Sequence, residues 1–295
     1  GIYSNGWGNP TFINVLVDSN QCQWSGGGIY LDGMVGVTLS GISINNNVAI
    51  NGNGGGLHLS DGIYNLDSLN ILDNIANVYG GGIACYSSNL IINDCKISYN
   101  QCSSNETNRG GGLYFSNDGD LTIMNTEISN NIAEETGGGI RLNNGQGQHQ
   151  NFTNVTFYGN NSNEGSAIYS NDGYHIDILN SIFWSNIGNE EIYFQASGRT
   201  LSIDYSDLEG GVESINITGG ASGNFGENII STDPLFCDAD SSNFTLYNNS
   251  PCLGTGQDDA NMGAFGAGCF VDALGPEINW AELPDSVGNA DQLTL

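Results

Sequence analysis

A tyrosine recurs between apolar or small residues, shortly after a glycine-rich or acidic stretch of the sequence. It appears at Tyr30, Tyr114, Tyr169 and Tyr193. A tyrosine ring offers a flat apolar face and a polar hydroxyl, so a row of such rings can hold a sugar chain. The same rings can instead stack on one another, or lie under a loop, and stabilise a sheet. The pattern therefore predicts an aromatic face that either binds extracellular glycans or stabilises a sheet.

Aspartate residues next to a glycine follow several of the same glycine-rich or acidic stretches. It appears at Asp32, Asp61, Asp118 and Asp172. Stacked carboxylates repel one another, and calcium, a hard cation with oxygen ligands, relieves that repulsion. The alternative is plain turn chemistry, because Asp-Gly pairs favour turns. The sequence has no EF-hand loop, so a calcium site at these corners would be irregular.

Paired carboxylates cleave glycosidic bonds in many glycosidases. The nearest candidate pairs are Asp204 with Asp207 and Glu190 with Glu191. Such pairs arise by chance in a chain with 32 acidic residues. We therefore assign no catalytic residue from the sequence.

The basic residues are few, and they give little support to an enzyme that acts on acidic polysaccharides. They are Lys96, Arg109, Arg141 and Arg199. Lys96 follows Cys95 and has no recurrent acidic cluster beside it in the sequence. The histidines have no serine or cysteine nucleophile motif near them, and we expect all three on the surface: His58, His149 and His175.

The charge balance excludes two classes of partner. The chain has 4 Lys+Arg against 32 Asp+Glu, which gives a formal net charge of −28. A nucleic-acid binder needs cations to neutralise phosphates, and an anionic membrane surface attracts basic segments. No stretch approaches the roughly 20 apolar residues that span a bilayer. We therefore expect neither nucleic-acid binding nor membrane insertion.

The composition favours an all-β protein with a packed core. The 295 residues include 44 Gly and 42 Asn, and both residue types weaken helix interiors. The hydrophobic fraction is 38%, with 11 Phe, 13 Tyr and 4 Trp. That apolar content is enough to form a core, so disorder is disfavoured.

Two motifs recur at one period and in phase. The first is Gly-Gly-Gly followed by aliphatic-x-apolar, and its copies begin at Gly26, Gly54, Gly80, Gly110 and Gly137, with degenerate copies at Gly165 and Glu190. The second is apolar-x-x-Asn, whose last residues are Asn20, Asn47, Asn74, Asn100, Asn131, Asn160 and Asn186. Both repeat every 26 to 31 residues.

This period, with short alternating runs and turn residues but no helical pattern, predicts a right-handed parallel β-helix. We expect about nine coils of three short strands, each coil adding about 4.8 Å to the solenoid. Equivalent residues then stack from coil to coil. The aliphatic and apolar positions after the glycines form two inward columns, and the asparagines form an amide ladder at a corner, where each side chain bonds the neighbouring coil.

The paired motifs resemble the GGA(I/L/V) and FxxN repeats of chlamydial polymorphic outer-membrane proteins and, more widely, bacterial secreted β-helix repeat proteins. The resemblance covers residues 1 to about 195. A later run, Asp233-Pro234-Leu235-Phe236 and then Ser250-Pro251-Cys252, resembles the closing coils of bacterial surface β-helix proteins. The resemblance implies a secreted or surface-displayed, often adhesive, multidomain protein. The chain departs from the family pattern because no autotransporter barrel is recognisable in it.

The sequence does not determine which cysteines form disulfide bonds. There are seven and none forms a Cys-x-x-Cys pair, which disfavours zinc. Cys95 and Cys102 are close enough to close a small loop, and a bridge among Cys237, Cys252 and Cys269 can staple the C-terminal part. Cys85 falls on an inward position, where a buried free thiol is the alternative.

We predict one solenoid domain over residues 1–270, with closing coils from about 233, and a linker or the start of a further module over residues 271–295. The expected function is a structural or adhesive module of a large extracellular or cell-surface protein, contacting glycans or neighbouring modules and stabilised by calcium. The alternatives are a carbohydrate-active β-helix enzyme and a subunit that associates end to end in a filament, since solenoid ends expose strand edges.

Overall fold

Equivalent residues of successive repeats lie side by side in parallel strands. The computed structural model describes residues 1–6, 8–103, 109–171 and 173–271. Ile2 pairs with Ile29, Ile29 with Leu57 and Leu57 with Ile83, and the same register continues through the later repeats. The chain is an all-β solenoid of about eight turns, in agreement with the predicted right-handed parallel β-helix.

The strands are numbered in chain order. They are β1 (Ile2–Asn5), β2 (Thr11–Ile13), β3 (Leu16–Asp18), β4 (Gln21–Cys22), β5 (Ile29–Asp32), β6 (Val35–Ser40), β7 (Ser43–Asn45), β8 (Val48–Ala49), β9 (Leu57–Ser60), β10 (Ile63–Asp67), β11 (Asn70–Leu72), β12 (Ile75–Ala76), β13 (Ile83–Tyr86), β14 (Asn89–Asn93), β15 (Lys96–Ser98), β16 (Gln101–Cys102), β17 (Leu113–Ser116), β18 (Leu121–Ser129), β19 (Ile132–Ala133), β20 (Ile140–Asn143), β21 (His149–Tyr158), β22 (Ile168–Asn171), β23 (His175–Leu179), β24 (Ile182–Trp184), β25 (Ile192–Gln195), β26 (Thr200–Asp204), β27 (Asp207–Leu208), β28 (Ile215–Thr218), β29 (Ser222–Phe225), β30 (Phe236–Asp238), β31 (Asn243–Tyr247) and β32 (Ala267–Cys269). Within the described residues, three short 3₁₀ helices cover Gly211–Ser214, Ala239–Ser241 and Gln257–Asp259.

Three faces surround the core. The glycine face is the nine-stranded sheet β1-β5-β9-β13-β17-β20-β22-β25-β28. The second face contains β2, β6, β10, β14, β23, β26 and β29, and the third face contains β3, β7, β11, β15, β24 and β27. The long strands β18 and β21 run through both of these faces and join them into one sheet. In five of the coils a fourth, two-residue strand forms a small sheet of β4, β8, β12, β16 and β19, which the sequence did not predict.

The interior is a set of stacked aliphatic columns, as the alternation of the repeats predicts. Ile29, Leu57 and Ile83 belong to one column and are fully buried. Leu31 and Phe115 belong to the neighbouring column, and they are also fully buried. These columns form one continuous hydrophobic cluster along the solenoid. Burial of this apolar surface supplies the main driving force for folding.

Glycine is needed at each position of a triplet for a different physical reason. The triplet of Gly80, Gly81 and Gly82 illustrates all three reasons. Gly80 has φ +66°, a left-handed conformation that favours glycine. A Cβ on Gly81 would lie 2.5 Å from the Gly111 carbonyl oxygen of the next coil. A Cβ on Gly82 would lie 3.0 Å from the Asn100 side-chain amide. The glycine corner therefore packs directly against the asparagine column.

The asparagine column forms a continuous hydrogen-bonded ladder from Asn20 to Asn186. Asn74 represents its members. Its Oδ1 accepts from the backbone N–H and the Nδ2 of Asn47, at 2.9 and 3.0 Å. Its Nδ2 donates to the Ile44 carbonyl at 2.8 Å and to the Asn100 Oδ1 at 3.0 Å. These four bonds use the full capacity of the amide, which leaves the ladder no free group for a ligand.

The C-terminal segment does not add a further coil. Residues 233–271, named the cap here, form the separate sheet β30-β31-β32, in which β30 and β31 are antiparallel. The cap lies against the third face of the solenoid, where Ile182 packs with Leu246, Cys252 and Met262. The predicted linker or further module covers residues 271–295, and all of it except Val271 lies outside the described residues.

One disulfide, Cys237–Cys269, ties β30 to β32 within the cap. Cys22, Cys85, Cys95 and Cys252 are free thiols, so no bridge between Cys95 and Cys102 closes the small loop. Cys85 is a fully buried thiol, as its inward position predicts. In the part of the chain that the structure describes, no helix is long and apolar enough to cross a membrane.

Replacing Asn74 by alanine should lower the free energy of unfolding by about 2–4 kcal/mol. The reason is that the Asn47 amide and the Asn100 Oδ1 both lose a buried partner. Denaturant unfolding of the wild type and the variant measures the difference. The exposed Asn163→Ala is the matched control, and equal unfolding midpoints for both variants would contradict a stabilising ladder.

Candidate functional site

The predicted aromatic face is a register column of the glycine face. Tyr30 pairs with His58, and in later coils Tyr114 pairs with Arg141 and Arg141 with Tyr169, which pairs with Tyr193. The rings differ in exposure. Tyr30 and Tyr193 are half-buried, whereas Tyr114 is 4% and Tyr169 is 7% exposed. Most ring surface in the middle of this column is therefore covered by protein.

Stacking explains that burial. The Tyr30 and His58 rings are parallel at 4.7 Å, and those of Tyr169 and Tyr193 are parallel at 4.6 Å. The Arg141 guanidinium lies 3.9 Å from the centre of the Tyr169 ring, a favourable cation–π distance. The prediction that His58 lies on the surface is wrong, because it is 7% exposed within this stack. Burial lowers the pKa of His58 to about 4, against an opposing effect of Asp32.

The aspartate corners do not share one register position. Asp32 pairs with Ser60 of the next coil, whose hydroxyl donates to the Asp32 Oδ1 at 2.7 Å, while Asp61 lies one residue further along its turn. Asp118 lies two residues beyond the equivalent position, Ser116, and accepts from the Gln148 amide at 3.1 Å. Asp172 lies outside the described residues. The described carboxylates therefore do not stack as a single column.

Within residues 1–6, 8–103, 109–171 and 173–271, no group of three or more His, Cys, Asp or Glu side chains is placed to hold a metal ion. Calcium binding at the corners stays a prediction.

The two carboxylate pairs from the sequence do not form paired catalytic groups on one open surface. Asp204 points outward and its Oδ1 accepts from the Asn228 amide at 3.3 Å. Asp207 is fully buried under the cap, where the Cys252 thiol donates to its Oδ2 at 3.2 Å. Burial raises the pKa of Asp207 to about 6.

Glu190 and Glu191 lie where the asparagine ladder ends. The Asn186 Nδ2 donates to the Glu191 Oε2 at 2.8 Å, so this carboxyl replaces the next asparagine of the ladder. The Gly165 N–H donates to Glu190 at 2.8 Å. Burial raises the pKa of Glu191 to about 8, although the Asn186 bond opposes the shift. Both glutamates therefore have a structural role at the end of the ladder.

The second face carries a polar depression of about 400 Å³ that sequence reasoning missed. The Asp177 and Asp204 carboxylates line it. The His149 and His175 rings stack at 4.8 Å beside it, and the His149 Nδ1 lies 3.3 Å from the Asp177 Oδ2. Its lining residues carry amides, hydroxyls and carboxylates, together with three aliphatic residues, Ile178, Leu179 and Ile203.

Where the cap meets the third face, the structure forms an aromatic pocket of about 210 Å³. Tyr158 and Trp184 of the solenoid meet Phe236 and Tyr247 of the cap around it. All four side chains are half-buried, so part of each ring remains accessible. The exposed carboxylate of Asp233 lies at the same pocket, and its Oδ1 accepts from the Leu235 N–H at 2.9 Å. Stacking rings beside a carboxylate suit a sugar, which has an apolar ring face and hydroxyl donors.

Further along the third face, a cavity of about 450 Å³ opens at the edge of the cap. It contains the only lysine, Lys96, whose Nζ lies 3.0 Å from the Glu127 Oε1. Glu127 pairs with Lys96 in the adjacent strand, so Lys96 has one acidic partner from the next coil rather than a recurrent acidic cluster. The sequence contains the signal for this pairing, because Lys96 and Glu127 each precede the apolar residue of an apolar-x-x-Asn motif.

No protein family, curated protein or solved structure matches this chain significantly. The candidate functional site is therefore assigned from geometry, and it is the junction between the third face and the cap.

The raised pKa values of Asp207 and Glu191 predict that the fold becomes less stable as the pH rises. Both groups favour the protonated form when folded, so the stabilisation is complete below their ordinary pKa values of 3.8 and 4.5. It is lost as the pH rises through about 6 and about 8. The melting temperature should therefore fall between pH 5 and pH 9.

Glu191→Gln isolates one of these groups, because glutamine stays neutral and can still accept from Asn186. We expect this variant to melt at a higher temperature than the wild type at pH 9 and at a similar temperature at pH 5. The exposed Glu227→Gln serves as the control and should follow the wild type. A wild-type melting temperature that rises over this range would contradict the assignment.

Proposed function

We propose that this chain is a structural and adhesive module of a larger secreted or cell-surface protein, and that it contacts a glycan at the junction of the third face and the cap. The observation that carries the proposal is the aromatic pocket formed by Tyr158, Trp184, Phe236 and Tyr247 with Asp233. A pocket of about 210 Å³ suits a single sugar ring. One ring face packs on the aromatic side chains while a hydroxyl donates to the carboxylate.

Two further features support an extracellular module, and the net charge indicates the kind of partner. The Cys237–Cys269 disulfide favours an oxidising compartment. The repeats resemble those of chlamydial polymorphic outer-membrane proteins and of bacterial secreted β-helix proteins. The net charge of −28 favours neutral partners over anionic polysaccharides.

The ladder and the stacked rings of the glycine face support a mechanical role for the solenoid. Their side chains bond or stack between coils, as with Asn74 and Tyr169, and so hold successive coils in one register. A rigid solenoid presents the junction pocket without reorganisation, which lowers the cost of binding.

A carbohydrate-active enzyme is the second candidate function, and one observation favours it. Lys96 and Glu127 bring an ammonium and a carboxylate together in a cavity on the same face. Such a pair can bind a sugar or assist proton transfer, so binding and turnover must be measured together.

The proposal predicts that the protein binds neutral oligosaccharides on a glycan array without releasing reducing sugar from them. Trp184→Ala should weaken binding to the best-retained glycan at least tenfold in Kd, because the pocket loses its largest stacking surface. Asp233→Asn should also weaken binding, while its side-chain oxygen can still accept from Leu235.

Trp24→Ala is the matched control, since Trp24 is 69% exposed in the first coil and far along the chain from the cap. Thermal melts verify that each variant folds. Release of sugar fragments would favour the enzyme, and the absence of retained glycan would overturn the adhesive proposal.

A further inference from the structure

In the cavity that contains Lys96 and Glu127, the contacts to the Glu127 carboxylate fall on only one of its two oxygens. Glu127 is only 2% exposed. The Lys96 Nζ lies 3.0 Å from Oε1, and the hydroxyls of Ser98 and Ser129 donate to the same oxygen at 3.0 and 2.6 Å. These three contacts fix the side chain through a single oxygen.

The second oxygen, Oε2, receives no hydrogen bond from any residue in the described parts of the chain. An ionised carboxylate has about four acceptor positions, so Oε2 can still accept hydrogen bonds. Glu127 also lines the cavity of about 450 Å³. Oε2 is therefore the acceptor that a ligand in this cavity would use.

The other walls suit a sugar more than an ion. The half-buried ring of Phe265, from the cap, closes one side, and the exposed amides of Asn70 and Asn125 line the open side. Lys96 is 28% exposed and keeps N–H donors beyond the one that faces Glu127. An aromatic wall, an amide rim and a donor–acceptor pair thus converge on one space.

We propose that this cavity is a second saccharide subsite of the junction, specific for a neutral sugar with adjacent hydroxyl groups. One hydroxyl donates to the Glu127 Oε2, a neighbouring sugar oxygen accepts from Lys96, and the ring packs against Phe265. The inference rests on the proposed function, because it adds a subsite and a substrate class to the same glycan-binding face.

The charges that line this cavity favour a neutral sugar over an acidic one. The Lys96 ammonium is already neutralised by Glu127, and the Asp94 carboxylate adds a negative charge to the cavity wall. A sialic acid or uronic acid would bring a further carboxylate next to these groups. Like charges in a partly desolvated site repel, so an acidic sugar is disfavoured.

The test titrates the wild-type protein calorimetrically with the best-retained neutral glycan from an array that also carries sialylated and uronate glycans. Glu127→Gln should raise Kd at least tenfold, because a hydrogen bond to a charged acceptor is lost. Phe265→Ala should also raise Kd, and it removes no buried charge. Glu213→Gln, an exposed glutamate of the 3₁₀ helix Gly211–Ser214, is the matched control and should bind like the wild type.

The outcomes separate this inference from the proposed function. If Trp184→Ala abolishes binding while Glu127→Gln and Phe265→Ala bind like the wild type, the second subsite is overturned and the adhesive function stands. If the array retains only acidic glycans, the substrate class is overturned. If the wild type retains no glycan, both proposals fail. Should melting reveal that Glu127→Gln is unfolded, Phe265→Ala decides the case.

Discussion

The rest of the structure depends on the four-fold hydrogen bonding of each interior ladder asparagine. The Asn74 amide bonds the coil before it and the coil after it, and none of its donors or acceptors is left over. A side chain with fewer groups would leave buried backbone at the corner unpaired. The ladder also fixes the axial register, because a one-residue slip of a coil would move its asparagine out of line. The order of all three faces follows from that register.

The ladder explains why two sequence motifs keep the same phase. A Cβ on Gly82 would lie 3.0 Å from the Asn100 side-chain amide, so glycine leaves room for the ladder asparagine at this corner. As the ladder ends at Asn186, Glu191 takes over its acceptor role, and the glycine triplet at that coil is replaced by acidic residues. The end of the ladder is thus also the end of the glycine motif.

The repeats predicted the solenoid, its inward columns and the placement of the asparagines, because those features depend on local spacing alone. The same spacing would have placed Lys96 beside Glu127, since both precede an apolar-x-x-Asn motif, but that comparison needs the outward residues aligned as well. The cap could not be predicted in this way. Phe236 and Phe265 belong to the cap, which does not contain the coil repeat. No period in the sequence therefore relates them to Trp184 or Lys96, whose pockets they line. For the tyrosine column the sequence left two alternatives open, glycan binding and stacking, and neighbours such as Arg141 cover Tyr169 by stacking on it.

The few basic side chains of this acidic solenoid differ in the partners that they contact. Arg141 stacks on Tyr169 and donates to Asn171 at 2.7 Å, so it stabilises the glycine face. Arg109 lies 3.4 Å from the half-exposed Glu135, where solvent weakens the pair. Lys96 differs, because its partner Glu127 is buried and borders a cavity. A buried ion pair adds little net stability, since desolvation offsets the Coulomb attraction. Stability alone therefore gives little reason to place the single lysine there, and the proposed saccharide subsite would give its remaining donors a partner.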